Sequence, residues 1–134
     1  MRDDLPQGTV SLLLTDIEGS TRLLHRLGAE GYAQAQAEHR DLLRAAFNAH
    51  GGVEVDTQGD AFFYAFPEMS GCLRGAVEAQ RSLARHPWTH GEPVKVRMGA
   101  HTGTPQRTDE GYVGVPVNTA ARIASAGHGG QILL

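Results

Sequence analysis

Cysteine is all but missing from this 134-residue chain. Cys72 stands alone, which excludes an intramolecular disulfide and fits a reducing compartment. Set in a helical pattern, it reads as a small buried apolar residue rather than a reactive thiol. Long apolar runs are missing too: no stretch approaches the roughly 20 residues of a membrane span. Residues 1–8 lack the basic start and apolar core of a secretory signal. The expectation is therefore a cytoplasmic protein that engages no membrane. Positive charge is not in excess either, since 15 acidic against 12 basic residues leave a formal charge of −3, which argues against the broad basic surface of a nucleic-acid binder. The seven histidines form no spaced cluster such as H-E-x-x-H, so none is expected to bind metal. Without an internal repeat, a low-complexity tract or a linker, a chain of this length with 40% hydrophobic residues fits one domain around one core.

What is present is an alternation of strand and helix patterns. Residues 1–8 are polar and broken by Pro6 and Gly8, and read as a flexible leader. Val10 to Ile17 is a buried strand. Leu23, Leu24 and Leu27 then mark a short helix before Gly28, and Tyr32, Ala35, His39, Leu42, Leu43, Ala46 and Phe47 mark a second helix ended by Gly51-Gly52. Val53 to Phe66 reads as two strands joined through Asp56 to Asp60. A helix follows with Cys72, Leu73, Ala76, Val77, Gln80, Leu83 and Ala84 on one face, stopped at His86-Pro87. Val94 to Thr102 alternates as a strand, Gly103 to Gly111 reads as an exposed loop, Val117 to Ala126 as a short helix and Gln131 to Leu134 as a last strand. The class is α+β, a sheet with covering helices.

Two apolar runs end on carboxylates. Leu12-Leu13-Leu14-Thr15-Asp16 stops at an acid and passes through Gly19-Ser20-Thr21 into a helix, so an anion sits beside backbone N–H groups freed at a helix start. Thr57-Gln58-Gly59-Asp60 places a second acid at a strand–turn–strand tip. Taken singly, Asp16 reads as a helix N-cap and Asp60 as a turn former; side by side, they would supply hard oxygen ligands to divalent cations. Asn118 and Arg122, four apart on a helix, project from one face and can converge on one ligand.

These segments, Thr15 to Thr21, Thr57 to Asp60 and Gly114 to Arg122, resemble in order and spacing the class III adenylate/guanylate cyclase catalytic domain. The resemblance implies a ferredoxin-like palm (βαββαβ core) over residues 9–134 that lacks C-terminal strands and their phosphate-binding lysine, and hence little turnover by residues 1–134. It implies two Mg²⁺ or Mn²⁺ ions held by Asp16, the Ile17 carbonyl and Asp60, with the backbone of Glu18, Gly19, Ser20 and Thr21 cradling phosphates. Asn118 would orient the ribose and Arg122 would stabilise charge on the α-phosphate. The two halves of the site would meet across a homodimer interface, with ATP or GTP as substrate. One departure stands out: the family's base-reading positions hold Asp56 and Gly111, neither of which can donate to adenine N1 through a side chain. Relaxed base selection follows as an expectation, with Gln58 or a residue of the further C-terminal part as alternative readers. The alternatives are a degenerate domain that binds nucleotide or merely dimerises to regulate an attached module, and another palm-fold phosphodiester former, against which the Asn118/Arg122 helix argues.

Overall fold

The computed structural model describes residues 2–134. Its centre is β1 (Val10–Ile17), buried along nearly its whole length. Because successive strand residues point to opposite faces, β1 feeds two cores. Leu13 and Ile17 pack on one side with Phe62, Tyr64, Phe66, Val96 and Met98, while Val10 and Leu12 pack on the other with Val55, Ala65, Tyr112 and Ala120. From β1 the chain runs through α1 (Ser20–Ala49), β2 (Val53–Gln58), β3 (Ala61–Phe66), α2 (Met69–Arg85) and β4 (Val96–Gly103). It continues through β5 (Gln106–Arg107), β6 (Tyr112–Val113), α3 (Val115–Ser125) and β7 (Ile132–Leu133).

The main sheet has the order β2-β3-β1-β4-β7, with β1 antiparallel to both neighbours and β7 parallel to β4. A β1-α1-β2-β3-α2-β4 path with strand order 2-3-1-4 is the expected ferredoxin-like palm. Helices α1 and α2 cover the first core through Leu43, Ala46, Phe47, Cys72, Ala76 and Leu83. The opposite core is closed by α3 through Ala120. Edge-on contacts of Phe47 with Tyr64 and Phe66, at 4.9 and 6.1 Å between ring centres, stitch α1 to the sheet.

The two helices read before and after Gly28 are both present within α1, separated by the non-helical backbone of Gly28 (φ 74°, ψ 174°) as expected. Other readings differ in the folded chain. Leu24 and Val77, read as core-facing, are 40% and 39% exposed. Met1 of the expected leader lies outside the described residues, and within residues 2–8 the chain is anchored at Arg2, Leu5 and Pro6. Leu5 is 2% exposed, Arg2 donates to the carbonyls of Glu54 and Val55 at 2.6 and 2.9 Å, and the Tyr112 hydroxyl donates to the Pro6 carbonyl at 2.6 Å. The physical reason is coverage: α3 alone does not close the second face of the sheet, and Leu5 joins Val10, Val55 and Tyr112 there. The segment read as an exposed loop forms half of the β5–β6 ribbon, with Arg107 donating to the Leu5 carbonyl at 3.0 Å. Helix α3 starts two residues early, at Val115, because Pro116 suits the first helical turn. Cys72 is fully buried, and burial pushes its thiol up to about 12.

Candidate active site

Asp16 lies one residue from the end of β1, and Asp60 occupies the two-residue turn between the paired Gln58 and Ala61 of β2 and β3. Since β3 pairs with β1, the turn is carried to the end of β1. There Asp60 Oδ2 accepts the Ile17 N–H at 3.2 Å. One hydrogen bond thus ties the second acid to the residue following the first. Helix α1 braces the turn from outside: an Arg40 guanidinium N–H donates to the Gly59 carbonyl. The His39 ring, 1% exposed, stacks on Phe62 at 5.8 Å between centres. Burial pushes the His39 imidazole down to about 4, so it is neutral in the fold.

A residue the motif reading missed dominates the electrostatics. Arg97 stands opposite Asp16 in the β1–β4 register, and its Nε and Nη2 donate to Oδ1 and Oδ2 of Asp16 at 2.7 and 2.8 Å. Bidentate pairing of this kind is the strong form of the interaction. Hydrogen bonding to Asp16, reinforced by the charges of Asp16, Glu18 and Asp60, holds the Arg97 pKa above its ordinary value. Three carboxylates therefore place their field on one cation at this end of the sheet. Only the β1–β4 pairing reveals it, because 81 residues separate the partners.

Of the backbone amides expected to cradle phosphates, that of Glu18 is already bonded within the fold. The Glu18 N–H donates to the Lys95 carbonyl at 2.8 Å and the Glu18 carboxylate accepts from the Gly129 N–H at 2.7 Å, so Glu18 is spent on holding the β1–α1 turn to β4 and to the loop before β7. Gly19 caps α1 in the left-handed conformation (φ 66°, ψ 33°) with no side-chain cap bond. Ser20 and Thr21 follow in the first turn, where backbone N–H groups have no intrahelical acceptor.

Beside Asp16 opens a cavity of about 270 Å³ whose walls include Leu14, Phe63 and Ala121 and whose polar lining includes Asp16, Asp56 and Gln58. Asp56 Oδ1 accepts from the Thr57 N–H at 2.9 Å and Oδ2 accepts from Gln58 Nε2 at 3.0 Å. Gly111 is not part of this lining. It is buried in the tight connection between β5 and β6, bonded both ways to Thr108, with φ 153° and Val55 Cγ1 3.0 Å from where a Cβ would stand. Position 111 thus stands against Val55, the residue before Asp56 on β2, and brings no side chain to the cavity. Asn118 and Arg122 are exposed on α3, and neither lines the cavity that Ala121, Ala124 and Ser125 of the same helix close. Val115, at the start of α3, is 75% exposed.

Among the described residues, no group of three or more His, Cys, Asp or Glu side chains could hold a metal. The donor set nevertheless fits Mg²⁺ or Mn²⁺, because such ions take one or two carboxylates and complete their shells with substrate phosphates and water. The Arg97 guanidinium already on Asp16 marks a place where the fold holds positive charge.

The fold and the paired acids define an α+β palm domain with an acidic site at one end of its sheet. The chain matches the adenylate and guanylate cyclase catalytic domain family over residues 4–134, and it belongs to that family. A Mycobacterium tuberculosis protein is 40% identical over 132 residues, covering 96% of this chain and 43% of its own length. The adenylate cyclase of Lachancea kluyveri is 35% identical over 156 residues, covering 96% of this chain and 8% of its own. Among solved structures, an adenylate cyclase from Trypanosoma brucei in its monomeric state superposes with a TM-score of 0.85 at 26% identity, covering 99% of this chain and 75% of that one. The chain spans less than half the length of these curated relatives. No helix among the described residues is long and apolar enough to cross a membrane.

Proposed function

We propose that this domain converts ATP or GTP to a 3′,5′-cyclic nucleotide and pyrophosphate. The observation that carries the reading is the convergence of Asp16 and Asp60 through the Asp60–Ile17 hydrogen bond, in a chain belonging to the cyclase family. In the reaction the ribose 3′-oxygen forms a bond to the α-phosphorus, the bond from that phosphorus to the bridging oxygen breaks, pyrophosphate leaves and the hydroxyl proton passes to solvent. Asp16, Asp60 and the Ile17 carbonyl would hold two Mg²⁺ or Mn²⁺ ions, which when bound activate the hydroxyl and neutralise phosphate charge. The first-turn amides of Ser20 and Thr21 point the helix start at the phosphates. Arg122 supplies a fixed positive charge to the α-phosphate and Asn118 orients the ribose, both in a second copy of the chain. Their exposure away from the Asp16 cavity, together with the exposed Val115 beside them, supports a site completed by homodimerisation. Signalling through the cyclic product is the role this chemistry serves.

The Asp16–Arg97 pair favours a second reading, a degenerate domain that binds nucleotide or dimerises without turnover, because a bidentate guanidinium competes with metal for both Asp16 oxygens. Incubation of the full-length protein, rather than residues 1–134 alone, with ATP or GTP and Mn²⁺, followed by chromatography for cyclic product, separates the two. Product that disappears on chelation with EDTA supports the enzyme. A folded protein that binds nucleotide and yields no product establishes the regulatory module.

A further inference from the structure

Asp56 and Gln58 lie two apart on β2 and line the same cavity as Asp16. Both oxygens of Asp56 are engaged by its own strand, one by the Thr57 N–H and the other by the Gln58 side-chain amide. An ionised carboxylate only accepts, so it holds the amide with nitrogen toward Asp56; the flipped amide would set oxygen against oxygen. One Gln58 N–H is thereby spent, and the second N–H and the carbonyl oxygen stay free for the cavity as an adjacent donor and acceptor on one rigid plane. Adenine presents an N6–H donor beside the N1 acceptor, and guanine an N1–H donor beside the O6 acceptor. A single amide complements either edge with two hydrogen bonds.

We propose that Gln58, clamped by Asp56, is the base-reading group of this site, and that Asp56 is a positioning residue rather than a reader. The proposal rests on the purine-nucleotide reading of the preceding subsection. It accounts for how base contact is made although Gly111 offers no side chain, and it assigns the substrate class as adenine and guanine nucleotides accepted by one group. Leu14 and Phe63, lining the same cavity, supply apolar surface for the base.

The test measures binding of N-methylanthraniloyl-labelled ATP and GTP by fluorescence in the presence of Mn²⁺, alongside cyclic product from the unlabelled nucleotides. Gln58 is exposed, so its variants are expected to fold as wild type does, which circular dichroism checks. Gln58→Leu is expected to weaken both nucleotides about tenfold. Gln58→Glu has no donor for adenine N1 or guanine O6, but its two oxygens can accept both N1–H and N2–H of guanine against only N6–H of adenine, and it should shift the GTP:ATP binding ratio toward GTP by about tenfold, equivalent to roughly 1.4 kcal/mol. Asp56→Ala frees the amide and should raise KM for both nucleotides with less effect on kcat. A wild-type protein that binds and cyclises nucleotide, with a GTP:ATP ratio unmoved by Gln58→Glu and affinities unmoved by Gln58→Leu, overturns the assignment and leaves the cyclase reading standing. Wild type that neither binds nor turns over nucleotide overturns both.

Discussion

The acidic pair at the sheet end is where single residues matter most. Asp16 and Asp60 are half-buried but outside both apolar cores, so replacing either with Ala should abolish metal-supported activity while the fold survives. Calorimetric titration with Mn²⁺ in the presence of nucleotide checks this, and equal metal binding in wild type and both variants would remove the metal site. His39 makes a prediction about pH. Its pKa is depressed in the fold, from an ordinary 6.5 to about 4. Above pH 6.5 both folded and unfolded chains are neutral there, and the residue gives stability no pH dependence. As pH falls from about 6.5 toward 4, the unfolded chain takes up a proton that the folded chain refuses, so stability drops. The loss amounts to about 3 kcal/mol, at ~1.4 kcal/mol for each tenfold difference in proton affinity. His39→Phe is expected to flatten the profile in that window, read by urea denaturation at several pH values. An equally steep variant profile would assign the effect to other groups. The neutral ring leaves Nε2 without a partner among the described residues, as does Thr15 Oγ1.

At the scale of elements, the site depends on how closely helices approach the sheet. Helix α3 lies so near β4 that a Cβ on Gly99 would stand 2.2 Å from the Ala124 backbone nitrogen and 2.6 Å from its Cα. Backbone cannot yield as a flexible side chain does. Gly99→Ala is therefore expected to lift α3, to cost about 1–3 kcal/mol of stability as overpacking does, and to reduce activity by moving Asn118 and Arg122 with the helix. Thermal unfolding measured beside cyclase activity checks both parts, and a variant with unchanged Tm and rate would show that the helix–sheet spacing is not a constraint. On the opposite face, α1 does the equivalent work for Asp60, through Arg40 on the Gly59 carbonyl and His39 on Phe62. Arg44 adds a tie to Glu54 of β2 at 2.9 Å.

For the whole molecule the central matter is the proposal that a second copy completes the site. Asp16 and Asp60 gather at one end of the sheet, whereas Asn118 and Arg122 are displayed to solvent on α3. If two copies complete each other's sites, mixing an Asp16→Ala chain with an Arg122→Ala chain should restore part of the activity, since one of the two sites in a mixed dimer keeps every group. Absence of recovery after mixing verified by native mass spectrometry would locate the complete site within one chain. The exposed Val113 and Val115, 49% and 75% accessible at the approach to α3, make the same surface the first place to look for association.

Local pattern alone determined the order of the principal strands and helices, the α+β class and the two acids at the strand ends, and the family resemblance added the palm. What local pattern determined depends on short-range signals: apolar runs broken by glycine, helical spacing and a carboxylate at each strand end. Tertiary structure decided what depends on pairing between distant segments. Arg97 reaches Asp16 only because β1 and β4 lie in register; Leu5 leaves the supposed leader because the second sheet face needs cover; and Glu18 turns from phosphate cradle to tether because Lys95 and Gly129 arrive beside it. Gly111 is set in a ribbon turn against Val55 for the same kind of reason. A one-dimensional pattern records which face a residue prefers, and only the closed fold determines which neighbours stand on that face.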